Sequence, residues 1–447
     1  MKASGMARAI TLLAGILGMA WTSVACAVPA YSRQTGQECA ACHMGAYGPQ
    51  LTPYGVRFKL GGYVDSDEQG GKLPLSAALI ASFTHTAKNQ ARAPTASTKV
   101  NDNAVIDQAS LYVAGRLAAN LGTFTQITYD GAERKAMLDM LDLRYASSLD
   151  LSGKELVLGL VLDNNPTLQD PFNSSPAWSF PYVQSSVAFE PGAATLINGG
   201  LEQRVLGLSG YLFWNKSLYV ELGSYRSLSP AVQARLGLGR EEDPGRLGSG
   251  TLYWRIAWTK DYKRHAFHVG AIGLNASLQP DRGQPARNDY RDVGLDAGYE
   301  YLGNRRHMVS VYASYIHERQ TRGALLASGG AARLHGRVDE FKLALSYDLR
   351  DTWDVTLARF AERGSRDAML YGDGYTGGRP DTAGTIAQVD WTPWGKEGSW
   401  HEPWANLRLG LQYTRYDRFN GARRNYDGQG RNARDNDTWL LFLEAAL

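Results

Sequence analysis

From about residue 75 onward, apolar and polar positions alternate with a period of two in segment after segment. In 204–214, RVLGLSGYLFW, Leu206, Leu208, Leu212 and Trp214 share one face. In 217–223, Leu218, Val220 and Leu222 oppose Glu221, and in 251–258, Leu252, Trp254, Ile256 and Trp258 oppose Arg255. In 340–349, Phe341, Leu343, Leu345 and Tyr347 oppose Lys342 and Asp348. In 405–414, Leu407, Leu409, Leu411 and Tyr413 oppose Arg408 and Gln412. Such alternation marks strands with one apolar face. Charges on the second face argue against burial on both sides. Segments of about ten residues or more suit tilted strands crossing an outer membrane, with lipid on one face and a polar lumen on the other. Strands of a soluble sandwich are commonly about five or six residues long.

The pattern predicts sixteen strands, over 75–86, 107–119, 122–131, 137–147, 154–163, 203–214, 216–227, 250–260, 264–275, 290–302, 306–317, 336–349, 352–363, 382–392, 404–418 and 435–447. Short connections such as 215–217, 260–263, 302–306 and 349–352 alternate with long ones near 88–106, 164–202, 228–249, 276–289, 318–335, 364–381 and 419–434. The short connection 132–136 and the longer 393–403 depart from that rule. Tyr and Trp recur toward strand ends, where interfacial girdles place them. Short turns face the periplasm and long loops the exterior in such barrels. The expected fold is therefore an all-β, transmembrane antiparallel barrel of the bacterial outer membrane. After the N-terminal segment no run of eighteen apolar residues occurs, and mean hydropathy is slightly negative at −0.33. Both suit a barrel and not a helical membrane protein.

The N-terminus follows other rules. Lys2 and Arg8 precede an apolar run over 9–21, and Ala25-Cys26-Ala27 offers small residues at a cleavage site. Residues 1–27 therefore read as a secretory signal peptide; a lipoprotein reading would instead acylate Cys26. Cleavage removes Lys2 and Arg8, and the formal charge falls from +3 to +1. That balance makes no case for nucleic acid as a partner.

Of three cysteines in the chain, Cys39 and Cys42 remain, and His43 follows them directly. C-x-x-C-H is the attachment motif of c-type haem: two thiols bond the porphyrin's vinyl groups and the histidine ligates iron. A structural disulfide needs no histidine. A thioredoxin-like pair needs a βαβ setting, and a zinc site needs four ligands where no second cysteine pair exists. One motif implies one covalent haem c, with Cys39 and Cys42 as attachment points and His43 as proximal iron ligand. Met44 adjoins His43 and cannot reach the opposite face. By alternation, Arg116, Asp142, Arg144, Arg204, Arg255, Lys342 and Arg408 point into the lumen. Their expected roles are to hold an inserted segment and the haem propionates, or simply to keep a polar lumen wet. His268 and Met308 also fall on inward rows and are candidates for the sixth ligand; His85 falls on an apolar row.

Two stretches carry a resemblance. RQTGQECAACHMGAYGPQLTPYGVRFKLGGY (33–63) resembles the haem segment, and NNPTLQDPFNSSPAWSFPY (164–182) an internal signature, of the fused monohaem cytochrome–porins of the bacterial outer membrane, associated with iron oxidation. The spacer between His43 and Pro49 departs from that pattern in its length. The resemblance implies a signal peptide over 1–27, a monohaem segment over 28–72 that plugs the lumen, and a porin-like barrel over 73–447. It implies electron transfer from extracellular Fe(II) to a soluble periplasmic carrier, with outer-membrane lipid around the wall. The alternatives are a haem-plugged porin passing solutes, or a conduit for another donor. An enzyme acting on peroxide would need distal acid–base residues, which the sequence does not identify. The proline- and aromatic-rich stretch 164–182 reads either as a segment folded into the lumen or as a self-packed surface loop.

Overall fold

The computed structural model describes residues 28–447 apart from 47, 71, 240–242, 373, 397 and 400–403. The expected signal peptide (1–27) and His401 lie outside the described residues. The wall consists of β1 (Leu75–Thr86), β2 (Asn103–Ala118), β3 (Leu121–Asp130), β4 (Lys135–Leu151), β5 (Lys154–Asp163) and β6 (Val205–Trp214). It continues through β7 (Leu218–Ser227), β8 (Leu252–Tyr262), β9 (His265–Gln279), β10 (Asn288–Tyr301) and β11 (His307–Thr321). It ends with β12 (His335–Leu349), β13 (Trp353–Gly364), β14 (Thr382–Trp391), β15 (Asn406–Arg418) and β16 (Thr438–Ala446). Each strand pairs antiparallel with its neighbours, and β1 pairs with both β2 and β16, which closes the barrel. The sixteen wall strands agree with the sequence count; a two-residue strand, Arg246–Leu247, lies in the β7–β8 connection and was not expected. Closure leaves no edge with unpaired backbone groups, the condition for crossing lipid with strands. No helix among the described residues is long and apolar enough to span a membrane.

Alternation sorts the side chains as the pattern requires. Leu208, Leu222 and Leu295 project outward, each about 60% exposed. Their strand neighbours Ser209, Glu221 and Asp296 are buried in the lumen. Such an exposed apolar surface is untenable in water and suits lipid. Aromatic pairs mark both margins: Trp353 stacks on Trp391 near the short turns, and Tyr413 lies 4.5 Å from Trp439 near the long loops. The chain is thus an outer-membrane β-barrel. Turn chemistry is local: Asn215 and Lys216 both take positive φ (49° and 56°) to reverse the chain between β6 and β7.

Two segments enter the lumen. Residues 29–63 carry α1 (Pro29–Thr35), the single turn α2 (Cys39–Cys42) and α3 (Pro53–Leu60). They pack at the short-turn end, where Gly62 abuts Ala146 and Glu38 pairs with Arg305. The 164–204 connection also folds inward, and Thr167, Leu168, Gln169 and Asp170 are fully buried. The alternative of a self-packed surface loop does not hold for this stretch. Its inward course follows from charge: Asp170 meets Arg255 of β8 at 3.0 Å with both side chains 0% exposed.

Candidate haem-attachment site

The C-x-x-C-H turn is held from both sides. Gly36 (φ 68°) ends α1 in the left-handed conformation, and α2 begins three residues later. His43 is extended and bridges Leu51, while Met44 N–H donates to the Gln50 carbonyl (3.2 Å) and Thr52 N–H to that of Cys42 (2.9 Å). Thr52 Oγ1 then accepts from Gly55 N–H, capping α3, and donates to the Ala41 carbonyl (2.6 Å). Gly55 lies so close that a Cβ there would come within 2.3 Å of the Cys42 carbonyl oxygen. The return helix therefore presses directly on the motif. Tyr31, Phe58 and Tyr63 pack ring to ring at 5.0–5.8 Å and tie α1 to α3.

Neither thiol chemistry nor zinc suits the geometry. Burial pushes the Cys42 thiol up to about 12, with Asp65 adding to the rise; an exchange-active thiol is shifted down. Burial pushes the His43 imidazole down to about 4, against opposing bonds from Gln50 and Gly48. The ring is therefore neutral. Its Nδ1 lies 3.3 Å from the Gln50 carbonyl oxygen, which can only accept. That bond places the proton on Nδ1 and leaves the Nε2 lone pair for a metal, the usual second-shell arrangement of a ligating histidine. Among the described residues no group of three or more His, Cys, Asp and Glu is placed to hold a metal ion.

Cys39, Cys42 and His43 all line one lumen cavity of about 490 Å³. Its apolar walls include Phe58, Tyr112, Phe124, Trp178 and Tyr182. Volumes of about 300–1,000 Å³ with apolar walls and few polar groups are typical of cofactor pockets. Lys342 and Arg408 stand on the same wall, the first donating to Ser179 Oγ (2.8 Å) and the second bonding Asp390 (2.9 Å). The donor set and the cavity fit a covalently held haem.

The other expected residues divide. Asp142 and Arg144 are buried beside the N-terminal segment: Tyr63 donates to Asp142 (2.9 Å), and Arg144 bonds both Asp142 and the Gln169 carbonyl at 2.7 Å. Arg255 joins Asp170 and Asp296. Arg204 is buried but turns to Gln233 and the Gly239 carbonyl of the β7–β8 connection, away from the inserted segment. Arg116 faces the N-terminal segment at the exposed short-turn rim: it stands opposite Gly122, bonds Ser66 and pairs with Glu68.

The two residues expected as candidates for a sixth ligand stand away from that cavity. His268 is buried, but it stacks on Phe172 at 5.3 Å and faces Asp296, lining a separate cavity of about 60 Å³. Met308 is 3% exposed and borders neither cavity. The thioether on the wall of the Cys39–Cys42–His43 cavity belongs to Met140 of β4. Lys59 also reaches it; its ammonium donates to Asn173 Oδ1 (2.8 Å) and the Leu168 carbonyl (2.9 Å) and lies 4.4 Å from the Trp178 ring centre.

No family model matches the chain, and no curated protein matches it. Among solved structures it is similar to the outer-membrane channel DcaP of Acinetobacter baumannii, at 10% identity over 87% of this chain and 100% of that one, with a TM-score of 0.47. It is similar to OmpF of Salmonella typhi in complex with daunomycin, at 13% identity over 85% and 98%, with a TM-score of 0.44. An anion-selective porin from Comamonas acidovorans gives 12% identity over 83% and 98%, with a TM-score of 0.43. The barrel assignment stands on closure and the lipid-facing belt described above.

Proposed function

We propose that this outer-membrane barrel is an electron conduit built around a single covalent haem c. The observation that carries the reading is the meeting of Cys39, Cys42 and His43 on the wall of one aromatic-lined lumen cavity. Cys39 and Cys42 would form the two thioether links, and His43 would ligate iron through the Nε2 that its Gln50 bond leaves open. Met140, on the same cavity wall, would offer a thioether to the group, and Lys342 and Arg408 would hold its propionates. When bound, the iron porphyrin supplies reversible one-electron chemistry. The chain's own residues would fix its place: Gly55 packs α3 against the motif, while Phe58, Trp178 and Tyr182 line the cavity with aromatic rings.

A bilayer core is about 30 Å thick, so a redox centre must sit within the wall's height to serve both sides. Above the cavity lies a second one of about 440 Å³, and the two share Trp178, Ser179, Pro181 and Tyr182 as lining. An extracellular donor entering from the long-loop side would give up one electron; Fe(II) would leave as Fe(III). A soluble periplasmic carrier would accept that electron at the short-turn end. The choice of Fe(II) rests on the resemblance of 33–63 and 164–182 to the iron-oxidation-associated cytochromes.

A second reading, a porin passing small solutes, is favoured by the sixteen-strand barrel itself, since barrels of that size leave an aqueous lumen. Anaerobic addition of Fe(II) to protein purified from outer membranes separates the two, with planar-bilayer conductance recorded in parallel. The conduit reading expects reduction of a c-type absorption spectrum and little conductance. Steady conductance with no haem absorption would establish the porin. A haem reduced by dithionite and not by Fe(II) would remove iron as donor and keep the conduit.

A further inference from the structure

The outer surface carries a feature that electron transfer does not explain. On three consecutive strands the same lateral row is arginine: Arg291 of β10 is directly opposite Arg319 of β11, and Arg319 is directly opposite Arg337 of β12. Arg363 of β13 stands one step along, opposite Asp339. All four are exposed and lie at the long-loop ends of their strands, on the face that meets lipid. Like charges directly opposite each other destabilise a sheet. The nearby carboxylates do not resolve the repulsion. Asp339 already accepts from His317 (2.7 Å) and Tyr315 (2.8 Å) and pairs with Arg337 at 3.4 Å. Asp289 is exposed and opposite Thr321. Among the described residues, the guanidinium of neither Arg291 nor Arg319 has a hydrogen-bond or ion-pair partner.

Directly below the row begins the apolar belt. Val293, Leu295, Tyr315, Phe341 and Leu343 are 38–61% exposed. Two residues along a strand span about 7 Å, so the guanidinium row sits at headgroup height above acyl-chain height. We propose that this arc binds the phosphate groups of an anionic lipid of the outer leaflet. Its acyl chains lie along the belt beneath. Arginine suits the task because its planar fork bonds phosphate oxygens in pairs, and basic side chains at a membrane margin concentrate anionic headgroups. The ligand neutralises the row's mutual repulsion, which explains why three arginines are tolerated side by side.

The test uses the full chain in neutral detergent, with bisphosphorylated lipid A as probe and native mass spectrometry to count bound lipid. The wild type is expected to retain the lipid. Arg319→Ala with Arg337→Ala is expected to weaken retention about tenfold or more, as loss of charge-assisted hydrogen bonds does. Lys216→Ala with Arg306→Ala, at the short-turn rim, is expected to bind like the wild type. Folded-barrel electrophoretic mobility confirms each variant, and Arg291→Ala alone serves if the double variant does not fold. Equal retention by wild type and variant would overturn the proposal. So would equal retention of the dephosphorylated lipid, or displacement by inorganic phosphate at the lipid's own concentration, which marks a free-anion site.

Discussion

Two segments share the lumen, and different chemistry holds each. The N-terminal segment, 29–63, is fastened by neutral bonds, Ala30 N–H to Ser76 Oγ (2.8 Å), Tyr31 hydroxyl to the Thr123 carbonyl (2.9 Å) and Tyr211 hydroxyl to the Leu60 carbonyl, and by lone charged groups such as the buried Lys59 ammonium. The internal segment, 164–204, is fastened by charge. Asp170 faces Arg255, and the N–H groups of Thr195, Leu196 and Ile197 donate to Glu340, Glu318 and Asp292 on three adjacent strands. Neutral bonds each contribute about 1 kcal/mol net, whereas removing one member of a buried ion pair strands the other at high cost. The N-terminal segment is thus seated by neutral bonds and single charged groups, and the segment beside it by ion pairs with both members buried.

The contrast is broken most forcefully at Arg255. Arg255→Met leaves Asp170 and Asp296 buried without their cation and is expected to cost about 3–5 kcal/mol, read as a lowered unfolding temperature in detergent. Acid should attack the same segment. Burial raises the Asp170 carboxyl, but Arg255, Lys59 and backbone donors outweigh it and hold it at about 2. Its folded pKa lies below the unfolded value of about 3.9. Its stabilisation is therefore complete above about pH 4 and is lost as pH falls through the folded value. Unfolding followed between pH 5 and 2 checks this, and Asp170→Asn should flatten the dependence. In the N-terminal segment, Gly55→Ala forces α3 away from Cys42 and is expected to cost about 1–3 kcal/mol, with reduced haem content in the purified protein. Thr52→Ala removes the α3 cap and the bond to the Ala41 carbonyl, about 1–2 kcal/mol, and should lower haem content less than Gly55→Ala.

Much of the wall was legible. Period-two alternation separates Leu222 from Glu221, and Trp254 and Ile256 from Arg255, only because one face meets lipid and the other a polar lumen, and the structure repeats that separation. Alternation gives a residue's face but not its bearing around the barrel. His268 and Met308 do point inward, yet they stand away from the cavity that Cys39, Cys42 and His43 line. That bearing depends on how the inserted segment seats itself, through bonds such as Lys59 to Asn173 that join residues 114 positions apart. Met140 carried a usable signal, since it shares its parity with the inward Asp142 and Arg144. Arg116 keeps the parity of Ala114 and Tyr112 and at the rim meets Ser66 and Glu68 of the N-terminal segment.

The most direct test of the account is the mass of the peptide bearing Cys39, Cys42 and His43, taken from protein isolated from outer membranes. The account predicts one haem joined through both thiols, neither of which takes up an alkylating reagent. Two alkylated thiols, or a disulfide between Cys39 and Cys42 with no haem adduct, would contradict it.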